Sequence, residues 1–257
     1  MDDHKLTIDR KDLIEGLGKG LRVIEAFDDA HPRRTASEVA AATSLSRTAA
    51  RRYLLSLVHF GYAASDGKLF WLTPRVLRLG QSYLSAARLP RLLQPFIQRI
   101  AMQCGETVNA SVLDGHEVVY VARSNSSRLI SIGHQIGARV PAHVVSPGVA
   151  MLASLSDEAL DGWIADHEFS AFSGHTVTGG ERFREQVLLA RQLDHCILDQ
   201  QFEVGLRGLA VALKDRRGDC VGAIGMTLQC QSWLPEQMVE RLLPLLRETA
   251  QTLRALL

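Results

Sequence analysis

No uninterrupted apolar run of about 18 residues, the length that a membrane-crossing helix needs, occurs anywhere in the 257 residues. The opening MDDHKLTIDRKDLIEGLGKG is acidic and lacks the apolar core of a secretion signal. These absences predict a soluble, cytoplasmic chain with no membrane partner. Cysteine is scarce: Cys104, Cys196, Cys220 and Cys230 stand far apart, without a Cys-x-x-Cys pair or a histidine at zinc-finger spacing, and are expected to be ordinary buried thiols in a reducing compartment. Charge of one sign is also missing, because 29 Lys and Arg face 28 Asp and Glu for a formal charge of +1. Any grip on a polyanion must therefore come from local clustering.

Enzyme signatures are equally thin. The cluster Gly16-x-Gly18-x-Gly20 follows no strand and lacks dinucleotide or P-loop spacing. There is no Gly-x-Ser-x-Gly elbow, and His167-Glu168 and His175 lack metal-ligand spacing on a helix. With no set of groups in compatible catalytic roles, the chain is expected to be no enzyme and to need no cofactor or metal.

What is present is enough for two packed domains: 46% hydrophobic and 22% charged residues are ordinary for globular proteins, and the length suits two compact units. The basic residues concentrate early, since residues 19–80 hold ten Lys and Arg against five Asp and Glu. Residues 1–18 are polar and unpatterned, which predicts a flexible arm. Leu21, Ile24 and Phe27 then mark one face of a short helix over 20–27. Thr35-Ala36-Ser37-Glu38 is a capping box opening a second helix to about Ala42. Ser46 is a good N-cap for a third, whose Ala50, Tyr53, Leu54, Leu57 and Phe60 recur at helical spacing up to Gly61. Two short strands, 62–65 and 68–72, flank Asp66-Gly67, the dipeptide suited to a tight hairpin with positive φ at both central residues.

Thr73-Pro74 opens a connecting helix that Leu89-Pro90 interrupts. Beyond it the pattern predicts a helix over 91–103, strands over 108–113, 117–122 and 129–132, helical stretches over 148–166 and 181–194, strands over 196–198, 209–214 and 221–228, and a final helix over 235–256. Strands with helices at both ends make an α+β domain.

On a helical wheel at about 100° per residue, with Arg47 at zero, Arg51 falls near 40°, Thr48 near 100° and Arg52 near 140°, while Ala50, Tyr53, Leu54 and Leu57 gather on the other side. A solvated helix face would look the same. A capped helix, a short turn, an arginine-bearing helix and a hairpin in that order are, however, what a winged helix-turn-helix requires. Arginine donates bidentately to guanine in the major groove, while Ser46 and Thr48 reach phosphates or base edges. Thr35, Ser46, Arg47, Thr48, Arg51, Arg52 and, on the hairpin, Lys68 form the candidate DNA-contacting set.

Gly20-Leu21-Arg22-Val23-Ile24-Glu25-Ala26-Phe27, Thr35-Ala36-Ser37-Glu38-Val39-Ala40 and the run Leu45 to Leu57 resemble the DNA-binding half of IclR-type bacterial transcription regulators. The likeness continues through Leu72-Thr73-Pro74-Arg75-Val76-Leu77-Arg78-Leu79-Gly80, Ala110-Ser111-Val112-Leu113-Asp114-Gly115 and Val119-Tyr120-Val121-Ala122-Arg123, covering nearly the whole chain from about residue 19. It is most similar to the branch controlling aromatic-acid catabolism, the protocatechuate and 4-hydroxybenzoate regulators of the β-ketoadipate pathway. The resemblance implies an α+β chain: an N-terminal winged helix-turn-helix (19–72), a linker helix (73–88) and a C-terminal GAF-like effector-binding domain (89–257). It also implies a homodimer or dimer of dimers on a palindromic double-stranded operator, responding to a small organic acid. The rival is a small-molecule-binding or enzymatic protein whose N-terminal helices make protein contacts.

Gly137 to Gly148 is rich in small residues and runs into an apolar helix, so backbone N–H groups there either face an anion or belong to a plain connector. By resemblance this segment, with Ser146 and Gly148, lines the effector pocket, and Asp199, Gly208, Gly225 and Thr227 border the ligand. Arg139 and Arg207 either pair with a ligand carboxylate or pin a loop, and His143 is either a donor to an acid or only a loop histidine. Two departures from the family pattern stand out. Pro147 offers no N–H where an amide is common, and Val149 replaces a basic residue.

Overall fold

The computed structural model describes residue 9 and residues 11–125 and 134–257, and the chain divides into two compact units, one ending at Tyr83 and the other beginning at Leu84. The first opens with α1 (Glu15–Glu25), which starts five residues earlier than the apolar spacing suggests. A Glu15–Lys19 ion pair at 3.1 Å braces this first turn, which carries Gly16 and Gly18. Next come β1 (Arg34–Thr35), α2 (Ala36–Thr43), α3 (Arg47–His59), β2 (Ala63–Ser65) and β3 (Leu69–Leu72). The capping box closes as expected: Thr35 Oγ1 accepts from the Glu38 amide at 3.3 Å, and Glu38 Oε2 accepts from the Thr35 amide at 2.6 Å. Val23, Val39, Ala40, Ala50, Leu54 and Phe70 form this unit's core.

The three strands pair antiparallel in the order β1-β3-β2, and two-residue β1 was too short to leave a period in the sequence. The hairpin differs from expectation. Ser65 pairs with Phe70, so the loop is longer than two residues, and only Gly67 takes positive φ. Asp66 Oδ1 instead organises it by accepting from the Lys68 and Leu69 amides at 3.0 and 2.8 Å. A 3-10 turn at Pro74–Val76 leads into α4 (Leu77–Ala86). The connecting helix does end here, but at Ala86, just before Leu89-Pro90: extended Ala87 separates it from α5 (Arg88–Cys104), which places Pro90 in a first turn whose amides have no helical acceptor.

The second unit continues with β4 (Val108–Asp114), β5 (Glu117–Ser124), β6 (Arg139–Pro141), α6 (Ser146–Leu152), α7 (Asp157–Ala165), α8 (Gly180–Leu193), β7 (Cys196–Asp199), β8 (Leu206–Lys214), β9 (Cys220–Gln229), α9 (Pro235–Gln237) and α10 (Leu243–Arg254). Helix over 148–166 was expected to run on, yet it is two helices, because Ser156 caps α7 by accepting from the Ala159 amide. The final helix is interrupted by a π turn at Met238–Leu242, beside Pro244, which has no N–H to give Glu240. The strand expected over 129–132 lies outside the described residues.

The six strands form one antiparallel sheet in the order β6-β5-β4-β9-β8-β7. Alternation sorts its faces. Val108, Ala110, Leu209, Val211, Ile224 and Met226 pack on one side with residues of α5 and α10. Tyr120, Ala210 and Ala223 pack on the other with α6, α7 and α8. The arrangement is α+β, as expected. Only Cys196 is buried; the other three cysteines are half-buried, correcting the expectation of four buried thiols. Among the described residues no helix is long and apolar enough to cross a membrane.

Candidate DNA-contacting face and ligand cavity

The N-cap of α3 is Ser46, whose Oγ accepts from the Ala49 amide at 3.2 Å. The helix buries Ala50 and Leu54 and half-buries Tyr53 and Leu57, which leaves Arg47, Thr48, Arg51 and Arg52 exposed on the remaining arc. None of these four side chains makes a hydrogen bond or ion pair with another described residue, so the cations are available to an external anion. Lys68 is exposed on the hairpin loop. Thr35 and Ser46 serve as helix caps; the Thr35 hydroxyl also donates to Glu38 at 2.8 Å. Sequence reasoning missed Arg33, an exposed cation whose guanidinium carbon stands 4.3 Å from the centre of the Trp71 ring on β3. An arginine just before a capping box and a tryptophan in the hairpin were its only traces.

In the second unit a cavity of about 390 Å³ opens between the sheet and the start of α6. Of the nine residues proposed for an effector pocket, Ser146, Arg207, Gly208 and Thr227 line it. Gly208 is needed there, since a Cβ would come within 2.5 Å of Ser146 Oγ. The hydroxyls of Tyr120, Ser146 and Thr227 face this space with no partner among the described residues. Burial pushes the Tyr120 phenol well up, so it stays a donor. Burial and the Arg123 charge push His134, also on the wall, down from 6.5 toward its neutral form. Phe202, Leu198 and Leu206 add apolar surface, and the rings of Tyr120 and His134 lie 4.8 Å apart. Tyr120, His134, Phe202 and Gln229 were missed in the sequence; only the alternation of Val118 with Tyr120 hinted that the phenol points this way.

Arg207 is pinned. It donates from Nε to Asp199 at 2.9 Å and from Nη1 to the Trp233 carbonyl at 2.6 Å, and its charge holds the Asp199 carboxyl below the usual range. The contacts of the loop-pinning alternative are present, Arg207 still lines the cavity, and Asp199 is its counter-ion, off the cavity wall. Arg139 lies at the sheet edge, donating to Asp114 and Glu117 at 2.7 Å each, and does not reach the cavity. His143 is fully buried behind the wall; its Nε2 meets the Ser170 carbonyl at 3.0 Å and its Nδ1 meets His167 at 2.8 Å. Gly148 and Gly225 are packing glycines: a Cβ at 148 would fall 2.1 Å from Ala142 O, and one at 225 would fall 2.6 Å from Leu209 O. Part of the expected backbone cradle is already in use. The amides of Gly148 and Val149 both donate to Val145 O, and Pro147 has none to offer. The hydroxyls of Tyr120, Ser146 and Thr227 are donors left to a ligand. No metal-holding group of side chains occurs among the described residues.

A model of the IclR helix-turn-helix domain matches residues 16–67, and one of the bacterial transcriptional regulator IclR C-terminal domain matches residues 81–255. The p-hydroxybenzoate hydroxylase transcriptional activator of Acinetobacter baylyi is 39% identical over 251 residues, 96% of this chain and 93% of that one. A Rhodococcus sp. RHA1 protein assigned as a transcriptional regulator has a similar structure, with a TM-score of 0.80 at 39% identity over 94% of this chain and 97% of its own. A double mutant of the Acinetobacter PobR inducer-binding domain, solved with 3-hydroxybenzoic acid, superposes with a TM-score of 0.63 at 33% identity, covering 66% of this chain and all (100%) of that one.

Proposed function

The chain belongs to the IclR family of bacterial transcriptional regulators, and from that premise we propose which parts of it read DNA and which take the effector. Residues 19–72 are the DNA-binding domain, 73–88 the linker helix and 89–257 the effector domain, with 1–18 as an arm. α3 enters the major groove, with Arg47, Arg51 and Arg52 reading bases or phosphates and Thr48 beside them, while Lys68 touches the flanking backbone. The observation that carries this reading is the exposed arginine face, which no acidic residue of the described chain neutralises. The protein acts in the cytoplasm as a homodimer or dimer of dimers on a palindromic operator.

The effector is a small aromatic carboxylate. The three free hydroxyls of Tyr120, Ser146 and Thr227 suit an acceptor-only group, and the apolar wall suits a ring. The relative named for p-hydroxybenzoate hydroxylase activation and the domain solved with 3-hydroxybenzoic acid support the same class. Regulation requires the acid to bind one arrangement of the DNA-binding units better than another. A thermal-shift screen of protocatechuate, 4-hydroxybenzoate and β-ketoadipate, paired with electrophoretic shifts on the protein's own upstream DNA, tests both halves. No shift with any acid rejects the effector reading, and no sequence preference rejects the DNA reading.

A further inference from the structure

β4 lies between β5 and β9 in the sheet, yet the cavity wall takes Tyr120 from β5 and Thr227 from β9 and nothing from the strand between them. Register says what stands there. Ser111 pairs with Tyr120, and Asn109 pairs with Gly225, two residues from Thr227 along β9. Their neighbours Val108 and Ala110 point into the core under α5, so Asn109 and Ser111 point to the opposite, cavity-bearing face. Both are almost completely enclosed, at 3% and 1% exposure, and Asn109 Oδ1 and Ser111 Oγ have no hydrogen-bond partner among the described residues. The position on β9 between them and Thr227 is Gly225, which raises no side chain.

Two adjacent buried polar side chains without partners are rare in a native core, and their natural explanation is a donor that the free chain does not itself supply. We propose that Asn109 and Ser111 form a polar floor to the cavity that accepts a hydrogen bond from a hydroxyl at the far end of the bound acid, making Asn109 the residue that distinguishes hydroxylated acids from plain ones. This rests on the cavity being the acid site. The carboxylate sits at Tyr120, Ser146 and Thr227, and the ring crosses the apolar wall. Its hydroxyl is directed down onto β4. A hydroxylated acid gains a hydrogen bond to acceptors that the free chain leaves unpaired, and a plain acid, which leaves them as they are, gains none.

The test compares benzoate with 3-hydroxybenzoate and 4-hydroxybenzoate by calorimetry on the full-length protein, with Asn109→Leu and the milder Ser111→Ala. The wild type is expected to bind at least one hydroxylated acid ten-fold or more tighter than benzoate. Asn109→Leu should bring that ratio near one, chiefly by weakening the hydroxylated acid, and Ser111→Ala should reduce it. If Asn109→Leu fails to fold, Ser111→Ala and Asn109→Thr provide the same ratio. A hydroxyl preference that persists unchanged in the folded variants overturns the proposal, as does a wild type that binds benzoate equally well, the result expected if a fixed water fills the floor. Failure of all three acids to bind the wild type overturns instead the aromatic-acid reading of the cavity on which the proposal stands.

Discussion

His167 Nε2 lies 2.8 Å from His143 Nδ1, and this one contact fixes the protonation of both rings. His143 Nε2 faces the Ser170 carbonyl, which can only accept, so that nitrogen carries the hydrogen and a neutral His143 accepts at Nδ1 from His167 Nε2–H. His167 Nδ1 in turn accepts from His116 Nδ1 at 3.1 Å. His167 stacks on Trp163, His116 lies tilted against the same ring, and His143 adjoins Val144 to Pro147, the segment that forms one wall of the cavity.

That chain makes stability fall in acid. Burial lowers the His143 pKa, and burial with its two histidine neighbours pushes His167 down from 6.5 to about 4. Groups depressed in the folded state bind protons more readily when unfolded, so their contribution is complete above the unfolded value and is lost as pH falls through the window between 6.5 and about 4. The melting temperature should drop across this interval. In His167→Phe it should drop less steeply, even if the variant melts lower at neutral pH; parallel curves for the two proteins would contradict the assignment.

Gly148→Ala should destabilise the effector domain by about 1–3 kcal/mol, as overpacking does, because its Cβ would press into backbone atoms of Ala142 that cannot swing away. Urea unfolding measures this. The neighbouring surface change Gly162→Ala, where a Cβ meets nothing within 4 Å, serves as the control.

Arg51→Ala should weaken specific DNA binding by about 1–3 kcal/mol if the guanidinium reads a base, with a changed preference at one operator position. Fluorescence anisotropy on the operator and on a scrambled duplex at fixed salt decides this.

Lys68→Ala should act differently. Its loss is expected to weaken specific and scrambled DNA about equally and to reduce the slope of log affinity against log salt by about one, the mark of a phosphate contact. Thr35→Ala removes a cap and should lower stability by about 1 kcal/mol, which urea unfolding measures.

What the sequence determined by itself is whatever depends on neighbours along the chain. The Thr35 and Ser46 caps and the split of α3 into an apolar arc and an arginine arc follow from spacing within one turn or two, and they stand as read except at Phe60, which ends the helix as an exposed C-cap. The two sheet faces likewise follow from alternation. The effector-site residues were only partly legible because a cavity is a meeting of distant strands. Arg207 and Arg139 look alike as free cations in a sequence, and only the fold shows one on the cavity wall paired with Asp199 and the other at the sheet edge paired with Asp114 and Glu117. Tyr120 and Asn109 carry no local mark of function. The order β5-β4-β9 alone places one on the wall and the other on the floor beside it, since strand order is set by long-range hydrogen bonding and burial that no short window of residues contains.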